Sequence, residues 1–132
     1  MSRRELREQV FLLLFRVEFN ELSDMPEQMR MFLEDDEVKR SDEDAAHITG
    51  KYDRIMENLS DIDRQLNEKA ENWNVERMGK VELTVLRLAL FEMQQDEEVP
   101  VSVAINEAVE LAKKFGQEGS GAFVNAVLAK FA

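Results

Sequence analysis

No cysteine occurs in the 132 residues, which excludes disulfides and thiolate metal sites. The one histidine, His47, has only surface carboxylates around it in sequence. Neither a metal centre nor a nucleophile–histidine pair therefore has its parts. Gly50-Lys51 lacks the earlier glycine of a phosphate loop. Glu34-Asp35-Asp36-Glu37 lacks the alternation and central glycine of a calcium loop. Long apolar runs are missing too. The longest, Val10 to Phe15, has six residues against the roughly 20 needed to cross a bilayer. Arg16 and Glu18 interrupt it and no small-residue cleavage site follows, so a signal peptide is not read. These absences point to a cytoplasmic protein that is not an enzyme and needs no cofactor.

Positive charge is also scarce, and its distribution matters more than the net −11. Residues 1–20 carry a net +1, residues 21–72 a net −9 and residues 73–132 a net −3. Such acidity argues against a general nucleic-acid coat protein. It leaves room for a small basic corner at the N-terminus, where Arg3, Arg4 and Arg7 cluster. A guanidinium fork matches phosphate oxygens, which makes these three a candidate anion grip.

Two prolines and five glycines leave long periodic segments, and the apolar spacings are helical. The first helix runs from the arginines through the Val10–Phe15 stretch and on to Val17 and Phe19, about five turns. A second begins at Ser23-Asp24-Met25-Pro26. Ser41 and Asp44 form a capping box for a third, with Ala45, Ile48, Tyr52, Ile55, Met56 and Leu59 on its apolar face. Ser60 is the expected cap of a fourth, Asp61 to about Asn72, carrying Ile62, Leu66 and Ala70. Trp73 to Gln95 is apolar nearly all round and reads as a central helix. Within it Arg87 requires a carboxylate, since an unpaired buried charge is prohibitively costly. Glu107 is the expected structural partner, failing that Glu82 or Glu92.

The last stretch, Val99 to Ala132, reads as a helical hairpin. Pro100 and Ser102 supply helix-start chemistry. Ala104, Ile105, Ala108, Val109, Leu111, Ala112 and Phe115 share one face, and Gly116 stops the run. Ser120 is the expected cap of a final helix with Phe123, Val124, Val127, Leu128 and Phe131 facing inward. Gly119-Ser120-Gly121 brings backbone donors within reach of a phosphate, and Phe123 offers a face for an unpaired base.

The order of residues here is more specific than its periodicity. Pro100, the string Val103 to Lys113, Phe115-Gly116 and Phe123 to Leu128 resemble the C-terminal signature of the NusB family of bacterial antitermination factors. Trp73, Val81-Glu82 and Leu86 to Glu92 match that family's central helix, and Arg3, Arg4, Arg7 and Glu8 its arginine-rich start. The resemblance implies an all-α fold of about seven helices in one domain, with sub-bundles of about 1–72 and 73–132 sharing a central helix and core. It implies binding of single-stranded boxA RNA in ribosomal RNA transcripts, together with the ribosomal protein NusE and the transcription elongation complex. The RNA residues carried over are Arg3, Arg4, Arg7, Phe15, Glu118, Gly119, Ser120 and Phe123, and Glu82 is carried over as the protein-partner residue. A homodimer through the apolar first helix is compatible with it. The alternative is a helical adaptor that contacts only protein.

Overall fold

A computed structural model describes residues 1–70 and 73–132. Among them every regular element is helical, and the chain forms two compact units, Met1–Met56 and Glu57–Ala132. No described helix is long and apolar enough to cross a membrane.

The N-terminal unit contains α1 (Arg3–Phe15), 3-10 turns at Arg16–Phe19 and Leu22–Asp24, α2 (Met25–Leu33) and α3 (Asp42–Glu57). Ser2 starts α1 through a reciprocal box: its Oγ accepts from Glu5 N–H (3.1 Å) and its N–H donates to Glu5 Oε1 (2.9 Å). Ser41 and Asp44 build the same box ahead of α3, at 3.0 and 3.1 Å. Each box satisfies N–H groups that a helix start leaves orphaned. Val10, Phe11, Leu13 and Leu14 are buried, as are Ile48, Tyr52 and Ile55 of α3. Arg16 and Arg40 are tied into this unit by side-chain bonds. Arg16 Nη1 donates to Gln28 O (3.3 Å) and Oε1 (3.2 Å). Arg40 donates to Gln9 Oε1 (2.9 Å) and Phe32 O (3.1 Å), its guanidinium 4.5 Å from the Phe32 ring centre.

The C-terminal unit contains α4 (Leu59–Lys69), α5 (Lys80–Gln95), α6 (Val101–Phe115) and α7 (Ser120–Ala129). Helix α4 packs on α5 in this unit. Its expected end at Asn72 lies outside the described residues. Leu83 to Glu92 of α5 are all buried, and α4, α6 and α7 pack around them. Leu86, Leu88 and Leu90 are fully enclosed, each contributing about 2 kcal/mol by burial.

Three expected caps differ in detail. Helix α4 starts two residues early, after Asn58, so Ser60 lies inside it. Pro100 takes the N-cap place of α6 without a side-chain bond, and Ser102 becomes its second residue. Gly119, in the left-handed region at φ +90°, takes the N-cap place of α7 and moves Ser120 into the helix.

Candidate nucleic-acid interface

At the start of α1 the three arginines separate by environment. Arg3 and Arg4 are exposed, whereas Arg7 is only 8% exposed. Glu5, between them, holds the capping box. Ser2 hydrogen bonds, chiefly from its backbone N–H, keep the Glu5 carboxyl below its ordinary value. The Ser-x-x-Glu spacing of Ser2 and Glu5 is the sequence signature of this box. At the other end of α1, Phe15 is half-buried in an aromatic ladder. It stacks on Phe11 (centroids 5.7 Å, 16° between planes) and meets Phe19 edge-on (5.0 Å, 74°). Phe19 itself is 60% exposed.

In the C-terminal unit a cleft of about 280 Å³ gathers Trp73, Met78, Gly79, Glu82, Phe123 and the Gln117–Ser120 turn. Its polar parts form one connected set. Ser120 N–H donates to Gln117 O (3.0 Å), and Gln117 N–H donates back to Ser120 Oγ (3.0 Å). The Ser120 hydroxyl in turn donates to Glu82 Oε1 at 2.7 Å. Ser120 is 3% exposed, so its hydroxyl needs these partners. Gly116 is required for space: a Cβ there would stand 2.6 Å from both Ala112 O and Ser120 Oγ. Trp73 and Phe123 form the aromatic wall, with ring centroids 5.7 Å apart and planes at 72°. Trp73 is 49% exposed. Among the described residues lining the cleft, the charged ones are the carboxylates Glu82 and Glu118, with no lysine or arginine.

The structure thus brings Glu118, Gly119, Ser120 and Phe123 into one cleft and adds Glu82, which the resemblance had assigned elsewhere. Trp73 and Met78 complete it. No spacing in the sequence announces either, because the Trp73–Phe123 contact joins residues 50 positions apart.

Arg87 is 7% exposed and does take a carboxylate, but the fork comes from α4. Its Nε donates to Asp63 Oδ1 (2.9 Å) and its Nη2 to Asp63 Oδ2 (2.8 Å). The packing of α4 on α5 brings Asp63 to the guanidinium, a carboxylate other than the expected Glu107, Glu82 or Glu92.

The sequence profile of the NusB family matches residues 4–132. The transcription antitermination protein NusB of Agathobacter rectalis is 47% identical over 132 residues, the whole of both chains. That of Lachnoclostridium phytofermentans is 47% identical over 130 residues, 98% of each. The fold is similar to T. maritima NusB, with a TM-score of 0.90 and 34% identity over 100% of this chain and 91% of that one. It is similar also to a chain in the crystal structure of the antitermination factors NusB and NusE in complex with dsRNA. There the TM-score is 0.82 and the identity 27%, over 96% of this chain and 92% of the other.

Proposed function

The chain belongs to the NusB family, and on that premise we propose that it is a cytoplasmic transcription antitermination factor rather than an enzyme. In this reading it binds single-stranded RNA of the boxA type together with NusE while ribosomal RNA is transcribed. The observation that carries the RNA part is the cleft walled by half-exposed Trp73 and Phe123. Every unpaired base has a π face, and base–aromatic stacking tolerates sequence. Phosphate contacts fall to Arg3 and Arg4, which face solvent, whereas Arg7 is buried. The Gln117–Ser120 turn contributes shape rather than a phosphate seat. Its serine hydroxyl is committed to Glu82, whose carboxylate lies beside the first turn of α7, where an anion complements the helix dipole.

A second reading, a protein-only adaptor, has its own support. Phe19 and Leu22 are 60% and 62% exposed within an acidic stretch that RNA would avoid. Salt separates the two. A labelled boxA-type RNA is titrated with the protein, with and without NusE, while the emission of Trp73, the only tryptophan, is followed. Two phosphate contacts predict about a sevenfold loss of affinity between 50 and 200 mM salt, with tighter binding when NusE is present. NusE binding without any RNA binding selects the adaptor.

A further inference from the structure

We infer that Glu82 is a positioning residue, which through Ser120 sets the Gln117–Gly119 turn and with it the Trp73–Phe123 cleft. The inference rests on the RNA reading of that cleft. Glu82 is the third residue of α5 and folds back over Gly79, where a Cβ would run into its carboxylate. Held there, its Oε1 accepts from the Ser120 hydroxyl, which itself accepts from Gln117 N–H. The turn is closed a second time by Ser120 N–H on Gln117 O. Gly116 leaves space for the hydroxyl and Gly119 takes the left-handed φ that the turn needs. Phe123 stands three residues after Ser120, on the same side of α7. The orientation of that first turn therefore fixes the Phe123 ring against Trp73. Glu82 acts at one remove: its acceptor oxygen sets the turn, and its charge beside the helix dipole is the smaller contribution.

Binding of a boxA-type single-stranded RNA to wild type, Glu82→Ala, Glu82→Gln, Ser120→Ala and the Glu82→Ala/Ser120→Ala double variant tests this. Each alanine variant is expected to weaken RNA binding about tenfold, the size of one hydrogen bond to a charged group. The double variant should lose no more than either alone. Glu82→Gln keeps an oxygen acceptor and should recover most of the loss, with the salt slope unchanged throughout. A glutamine variant as weak as the alanine one, or losses that multiply in the double variant, overturns the inference. If Ser120→Ala does not fold, the Glu82→Ala and Glu82→Gln pair decides alone. Amide exchange at Gln117–Phe123 in the free protein separates the latch from the RNA reading. Exchange faster in Glu82→Ala but not in Glu82→Gln upholds the latch even if wild type binds no RNA, whereas unchanged exchange overturns it.

Discussion

Arg87 and Asp63 meet as a two-point fork, 2.9 and 2.8 Å long, that joins the middle of α5 to α4. The side chains are 9% and 22% exposed, so the pair is largely desolvated. Removing Asp63 takes a two-point carboxylate contact from a largely buried Arg87. Asp63→Ala is expected to cost about 3 kcal/mol in urea denaturation. Asp63→Leu/Arg87→Met, which removes both charges, should cost less than the single change. A single change that leaves the midpoint where it was would contradict this account.

The two glycines of the α6–α7 turn fail differently when given a side chain. Gly119→Ala meets nothing within 4 Å but forces alanine to φ +90°, costing about 1 kcal/mol. Gly116→Ala drives a methyl against a backbone carbonyl and the Ser120 hydroxyl, an overpacking cost of about 1–3 kcal/mol. Gly116→Ala should therefore be the more destabilising in thermal unfolding, and the one that disturbs Trp73 emission.

Arg3→Ala/Arg4→Ala alters exposed side chains, so stability should stay within about 0.5 kcal/mol of wild type. RNA affinity should fall alike for different sequences, and the log–log salt slope should flatten by about 1.4. An undiminished slope would place the phosphate contacts elsewhere.

Acid should weaken the helix starts through two carboxyls. Backbone N–H bonds from Ser2 and Ser41 hold the Glu5 and Asp44 carboxyls below their ordinary values of 4.5 and 3.8. A carboxyl lowered in the folded state stabilises fully above its unfolded pKa, and that contribution is lost as pH falls through the folded value. The Glu5 and Asp44 amide resonances should hold steady from pH 7 to about 5 and shift only as pH falls below each carboxyl's ordinary value. Glu5→Gln and Asp44→Asn should each abolish the shift at their own box.

The sequence was most legible where structure depends on near neighbours. The Ser41–Asp44 box, the apolar faces of α3, α6 and α7, and the enclosed run of α5 all follow from spacings of three and four. Contacts between helices were not legible. Asp63 lies 24 residues from Arg87 and on a mostly polar helix, so nothing local marks it as a partner. Ser120 looked like an ordinary cap because its link to Glu82 spans 38 residues. Gly119 explains why the cap moved by one: its left-handed φ begins α7 from the glycine itself.

The boxes at Ser2–Glu5 and Ser41–Asp44 are each complete within four residues. Closing them requires almost no loop-entropy loss, so α1 and α3 have starts that can nucleate while the remaining chain is still unfolded. The Ser120–Glu82 bond has the opposite character and must wait for α5, α6 and α7 to dock. During refolding, helical signal from the N-terminal unit should precede burial of Trp73, and the cleft should be among the last features to mature.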